Sequence, residues 1–207
     1  MKTLLFRESL DLTLLLFALM FLFKRSDIVF LGCLTLLLLL AHFHRLPRRP
    51  KPKFGENVIT APSDGTILSV VEEDGMYHIV IYLAVTDVHV QWFPVDGVVR
   101  NIIYKHGTFN LAHVLEKSQH NERMTTIIEN PNGIVRIDQI AGQLARRIVN
   151  WSISNSYVKR GNLLGMIKLS SRVDLYIPSE NTEVFVKPND KLVGKLTPVA
   201  KWKKKLI

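Results

Sequence analysis

"MTTIIENPNGIVRIDQIAG", residues 124–142, decides the fold class of this chain. Two alternating apolar and polar runs meet at Asn132-Gly133, a dipeptide that readily takes the backbone angles of a tight hairpin. The same texture extends in both directions. "VITAPSDGTILSVVEEDG" (58–75) reads as strand, turn, strand, turn; "YHIVIYLAVTDVHVQWF" (77–93) contains a strand with a buried pattern; "PVDGVVRNIIYKHG" (94–107) adds a turn and a strand. One helix is expected in "QLARRIVNWS" (143–152), where Leu144, Ile148 and Trp151 approximate a helical face. The expected class is mainly β with minor α.

The β region carries an internal echo. "APSDGTI" (61–67) and "FPVDGVV" (93–99) share Pro-x-Asp-Gly, and "VKRGNLLGMI" (158–167) resembles "VKPNDKLVGKL" (186–196). In each late copy a polar turn feeds an apolar stretch interrupted by Gly165 or Gly194. This spacing resembles the barrel sandwiches of lipoyl and biotinyl carriers, which implies a barrel-sandwich-like β domain. The lysine between two methionines that a carrier needs is missing, so the likeness concerns the fold and not a carrier function.

The first 41 residues differ from the rest. "LDLTLLLFALMFLF" (10–23) and "IVFLGCLTLLLLLA" (28–41) are 14-residue apolar runs separated by "KRSD", each short of the roughly 20 residues of an upright spanning helix. A helical hairpin held at or shallowly in the membrane competes with two short tilted spans and with a buried helical pair. The following "HFHRLPRRPKPK" (42–53) interleaves Arg45, Arg48, Arg49, Lys51 and Lys53 with three prolines, which suits anionic headgroups and not a long helix. The tail "KWKKK" (201–205) repeats the theme, with Trp202 expected at an interface. The expected organisation is a membrane-associated hairpin with its basic stretch over residues 1–53 and a β-rich domain over 54–207.

The formal charge of +9 suits either nucleic acid or an anionic membrane. The β region lacks the basic faces with interleaved aromatics that single strands need, so no nucleic-acid partner is expected. Cys33 is the sole cysteine, which excludes an intrachain disulfide and a thiolate metal site, and no histidine pair has the HExxH spacing, so no metal is expected. His89, between Val88 and Val90, suits either a satisfied core histidine or acid–base work. Asp64 and Asp96 read as turn acids before glycine. Glu122, Arg123, Arg146 and Arg147 suit anion binding or ion pairs. In "MIKLSSRVDLYIP" (166–178), Ser170 and Ser171 read as turn serines or as one nucleophile beside its neighbour.

Taken in order, "FHRLPRRP" (43–50), "APSDGTI", "DVHVQWFPVDGVV" (87–99), "GTFNLAHVLEKSQHNER" (107–123), "QIAGQLARRI" (139–148) and "GNLLGMIKLSSRVDLYIP" (161–178) resemble the short-form phosphatidylserine decarboxylases. These are pyruvoyl enzymes that mature by cutting themselves. The resemblance implies cleavage between Ser170 and Ser171, leaving a large chain, 1–170, and a small chain, 171–207, with a covalent pyruvoyl cofactor derived from Ser171. It implies catalytic roles for Ser171, His89 and Asp64, a membrane phospholipid as substrate, and Schiff-base decarboxylation of phosphatidylserine to phosphatidylethanolamine and carbon dioxide. His89 would return the proton. Family members commonly form homodimers, a state that no pattern of this chain indicates independently. Two positions depart from the family: Ser170 stands where "FGSR" has glycine, and Trp92 stands where short-form members commonly have arginine. They keep open a second reading, a processing-deficient lipid-binding or structural homologue on the membrane.

Overall fold

A computed structural model describes residues 9–143, 147–168 and 171–203. The chain divides into two compact units, residues 1–48 and 49–207.

In the first unit, α1 (Leu10–Leu22) and α2 (Asp27–Phe43) occupy the two apolar runs. Both are apolar around most of their circumference: Leu14, Phe17, Phe21, Ile28, Leu31 and Leu38 are exposed, whereas Thr13, Leu16 and Cys33 are buried. Their hydroxyls are satisfied within the helices, Thr13 by the Ser9 carbonyl and Thr35 by the Leu31 carbonyl, each at 2.8 Å. At 13 and 17 residues they extend about 20 and 26 Å, and among the described residues no helix is long and apolar enough to cross a membrane.

The second unit is built from β1 (Val58–Thr60), β2 (Gly65–Glu73), β3 (Met76–Leu83), β4 (Val90–Trp92), β5 (Gly97–Lys105), the single turn α3 (Leu115–Ser118), β6 (Arg123–Asn130) and β7 (Gly133–Ala141). The remaining strands are β8 (Ile148–Asn150), β9 (Tyr157–Val158), β10 (Leu163–Ile167), β11 (Ser171–Pro178), β12 (Thr182–Val184), β13 (Lys191–Leu192) and β14 (Pro198–Trp202). The expected mainly β class holds. An eight-stranded sheet in the order β13-β2-β3-β11-β7-β6-β5-β9 curls into a half barrel, joined by two three-stranded sheets, β1-β14-β12 and β4-β10-β8. The hairpin of residues 124–142 forms β6 and β7, with Asn130 paired to Gly133 across Pro131 and Asn132.

The sequence echo is a structural duplication. β13-β2-β3-β11 and β9-β5-β6-β7 meet at the central β11–β7 pair as two copies of one arrangement. Each copy has an irregularity in its first long strand, at Ile67/Ser69 and Val99/Asn101. Each uses its Pro-x-Asp-Gly aspartate to hold a remote turn: Asp64 accepts from the Gly194 N–H at 2.7 Å, and Asp96 from the Arg160 N–H at 2.5 Å. The next residue in each turn has positive φ, 68° at Lys195 and 80° at Gly161, and donates its N–H at 2.8 Å to Ala61 or Phe93.

Two expectations are corrected. Ile148–Asn150 is a strand and not part of a helix, because β-branched Ile148 and Val149 pair with Ile167 and Met166 of β10; Leu144 and Arg146 lie outside the described residues. Trp202 is not interfacial. It pairs opposite Thr182 and joins the core with 3 % exposure, while its neighbour Lys201 points out to Glu183. Lys204 and Lys205 lie outside the described residues.

Candidate active site

β11 is the strand on which the site rests. Its alternation places Val173, Leu175 and Ile177 in the core and Arg172, Asp174 and Tyr176 on the opposite face. Ser171 shares the core parity. It is fully buried at the head of the strand, flanked by Leu83 of β3 and Ala141 of β7. Its Oγ has no hydrogen-bond partner among the described residues. A buried hydroxyl normally finds a partner, and this one stands without one at a position where the sequence offered a turn serine as the alternative. Ser170 lies outside the described residues.

His89 is tied to β10, the strand that precedes Ser171 in the chain. Its carbonyl accepts the N–H of Ile167 at 3.2 Å, and only residues 168–170 separate Ile167 from Ser171. The imidazole is fully buried, and Nδ1 lies 2.9 Å from the Asp87 carbonyl. A carbonyl only accepts, so in the neutral ring Nδ1 carries the proton and Nε2 holds the lone pair.

A buried amide chain braces this junction, and sequence reasoning missed it. Gln91 donates to the His89 carbonyl at 2.7 Å; Gln139 donates to Gln91 Oε1 at 2.8 Å; Asn150 donates to Gln139 Oε1 at 3.0 Å and to Thr126 Oγ1 at 2.8 Å. The chain links β4 and β8 to the large sheet. Gly165 makes room for it, since a Cβ there would collide with the Val149 carbonyl and lie 2.7 Å from Gln139 Nε2. The available signal was a glutamine inside each of two apolar alternations, "VHVQWF" and "VRIDQIA".

Asp64 stands apart from these groups. Its carboxylate takes a two-pronged ion pair from Arg49, Nη1 to Oδ1 at 2.6 Å and Nη2 to Oδ2 at 2.7 Å, in addition to the Gly194 N–H. Arg49 also donates to the Gly194 carbonyl at 2.6 Å, and its guanidinium lies 4.5 Å over the Trp92 ring. Arg49 was expected to face lipid headgroups with the rest of the basic stretch; instead its side chain is largely buried against Asp64. A cation therefore lies over the Trp92 ring. β4 is the common rail, with Trp92 on the Asp64 side and His89 just before its other end.

The opposite face of β11 carries buried ions. Asp174 and Asp138 are cross-strand neighbours, each essentially inaccessible. Arg172 donates through Nη2 to Asp174 Oδ2 at 2.9 Å and through Nη1 to Ser118 Oγ at 2.7 Å, while its Nε lies 2.8 Å from Oδ1, an ion pair too bent to be a hydrogen bond. His78 Nε2 lies 3.0 Å from Asp174, and its ring stacks on Tyr176. Asp138 is held by Thr125 at 2.7 Å and by Arg136, with Arg123 Nη1 at 3.9 Å. Burial first, and then Asp174 and Asp138, push the Tyr176 phenol up to about 12; the hydrogen bond to Asp138 raises Arg136. The segment 107–122 covers the Ser171 end of this face: Asn121 donates to the Ala141 carbonyl and Glu122 accepts the Ala141 N–H.

Among known proteins, the phosphatidylserine decarboxylase family model matches residues 36–197. A phosphatidylserine decarboxylase proenzyme of Parabacteroides distasonis is 37 % identical over 178 residues, covering 82 % of this chain and 80 % of that protein. Proteins of the same name from Carboxydothermus hydrogenoformans and Saccharopolyspora erythraea are 38 % and 36 % identical, covering 84 % and 77 % of this chain and 85 % and 72 % of theirs.

Proposed function

The chain belongs to the phosphatidylserine decarboxylase family, and from that premise we propose that it is a self-cleaving phosphatidylserine decarboxylase whose Ser171 makes the active group. The single observation that carries this reading is the buried, unpartnered Ser171 Oγ at the head of β11.

In the maturation we propose, Ser171 Oγ attacks the carbonyl carbon of Ser170. The peptide C–N bond breaks and an ester forms while the Ser171 nitrogen gains a proton. Loss of the Ser171 α-proton then expels the ester oxygen, leaving a carboxylate on chain 1–170. The dehydroalanine left at 171 takes up water and releases ammonia to give the pyruvoyl end of chain 171–207. An activated nucleophile of this kind needs a base. His89 is our candidate, because its Nδ1 contact to the Asp87 carbonyl directs the lone pair to Nε2.

The fit of the site to a pyruvoyl end rests on Ser171 having core parity beside Leu83 and Ala141, where bulk water is excluded. When present, that group supplies the electron sink for the pair released with carbon dioxide. The protein's own part is to exclude water, hold the substrate, and return a proton from His89 to the carbon that lost its carboxylate. Asp64 contributes by position, holding Arg49 against Trp92 and so fixing β4, which follows directly on His89. The small chain stays in place after cleavage because β11 lies between β3 and β7 and β14 pairs with β1 and β12.

For the first unit we propose peripheral or shallow insertion into a membrane. An all-round apolar surface on helices too short to span supports this reading. The test is carbon dioxide release from vesicles containing phosphatidylserine, with the chain masses recorded in parallel. Turnover that disappears with Ser171→Ala, and self-cleavage and turnover that both fall about 10²-fold or more with His89→Gln, support the assignment. Turnover by an intact chain overturns it.

A further inference from the structure

The two turns equivalent under the internal duplication face each other across a cleft of about 360 Å³, lined by Lys51, Lys159, Arg160, Lys195 and Asp96. Arg160 spends its guanidinium on the Gly55, Val58 and Phe54 carbonyls, neutral acceptors that leave its charge uncompensated. Among the described residues none of Lys51, Lys159 and Lys195 has a carboxylate within ion-pair distance. Four cations thus face one carboxylate, and Asp96 is already occupied by the Arg160 N–H.

Lys195 is the unusual member. The equivalent residue in the other turn is Gly161, the residue type that suits a φ of 80°; Lys195 holds 68° despite its Cβ. Its stem lies across Gly161, where a Cβ would meet Lys195 Cε at 3.0 Å, and its ammonium donates to the Arg49 carbonyl at 3.2 Å. The left-handed backbone and the missing Gly161 side chain together hold an ammonium at the cleft. Burial, and then the charges of Arg49 and Lys51, push the Lys195 pKa down, the response of crowded cations without an anion.

We propose that this cleft binds a phosphate-bearing anion, either the phosphodiester of an anionic lipid headgroup or free phosphate, at a site separate from that of Ser171 and His89. Compact ammonium charges are suited to phosphate oxygens. The cleft wall meets the sheet where the Asn162 carbonyl accepts the Phe93 N–H, past the far end of β4 from His89 and at most about 13 Å of chain away. In a serine headgroup only three bonds separate phosphorus from the amine-bearing carbon, a shorter reach than the length of β4 between the cleft wall and His89. The proposal stands independently of the decarboxylation.

The test uses full-length protein in non-ionic detergent, titrated with inorganic phosphate and with dihexanoyl phosphatidylglycerol below its micellar limit. Sedimentation with phosphatidylcholine vesicles, with and without phosphatidylglycerol, gives the membrane arm. K51Q/K159Q/K195Q is compared with K105Q/K117Q/K187Q, which removes equal charge from exposed positions elsewhere. The expected result is that the cleft variant loses about tenfold or more in affinity for at least one phosphate probe while the control stays near wild type. Loss with the lipid probe and vesicles alone identifies the headgroup phosphodiester; loss with inorganic phosphate as well identifies phosphate itself. Equal losses in both variants, or no loss in the cleft variant, overturn the proposal. Chain masses and carbon dioxide release from soluble short-chain phosphatidylserine, measured on the same samples, report separately on the decarboxylase reading.

Discussion

Replacing Arg172 by methionine in a Ser171→Ala chain, where cleavage cannot complicate unfolding, tests how β11 is held. Arg172 is 5 % exposed and supplies one hydrogen bond and a close ion pair to Asp174, itself 1 % exposed and opposite Asp138. The single change leaves Asp174 with the His78 imidazole at 3.0 Å and takes away the donor to the Ser118 hydroxyl. Breaking a buried pair in this way costs about 3–5 kcal/mol, because one charge is left buried and uncompensated. Adding Asp174→Leu removes that charge, so the double variant is expected to be more stable than the single one, within about 1–2 kcal/mol of its parent. Urea unfolding followed by tryptophan fluorescence gives each free energy, with unchanged m-values required for the comparison. A single variant within about 1 kcal/mol of its parent, or a double variant less stable than the single one, would refute the view that the Arg172–Asp174 pair is a closed buried unit.

Three further outcomes are expected. Gly165→Ala drives a Cβ into the Val149 carbonyl and Gln139 Nε2, so it should destabilise by about 1–3 kcal/mol and slow self-cleavage, read by unfolding and by the rate at which intact chain disappears. Tyr176 has a folded pKa of about 12, above its ordinary 10.0; the unfolded phenol ionises first, so its contribution is whole below pH 10 and is lost as pH rises towards about 12. Tyr176→Phe should flatten the fall in stability over that window, and an unchanged slope would exclude Tyr176 as its source. Ser170→Gly, which relieves the β-carbon beside the scissile carbonyl, should cleave faster than wild type in a time course of chain masses.

The legible parts of this protein are those where local pattern and tertiary demand agree. The alternation around Asn132-Gly133 produced the β6–β7 hairpin, and the repeated Pro-x-Asp-Gly became a duplication whose aspartates hold equivalent turns. Residues 148–150 defeat a helical reading because one apolar residue every few positions fits a short strand as well as a helix, and pairing with β10 is invisible in the segment itself. The ions of β7 and β11 look like a solvated face in sequence. Only the packing of Ser118 and the segment around it shows that Arg172 and Asp174 are covered. Arg49 departs from its expected place for a related reason: a basic run says nothing about which of its members turns back, and Asp64 selects Arg49. Ser171 was legible as a candidate from its order among family segments, whereas its buried, partnerless hydroxyl is a property of the fold.

Intact-mass measurement of purified, folded protein bears most directly on Ser171 as the source of the active group. The expected result is two chains, 1–170 and a 171–207 fragment that begins with a pyruvoyl group and lacks a free α-amine, with only the full-length chain from Ser171→Ala. A folded wild-type preparation that stays full length while releasing carbon dioxide from phosphatidylserine, or a Ser171→Ala chain that still does so, would contradict it.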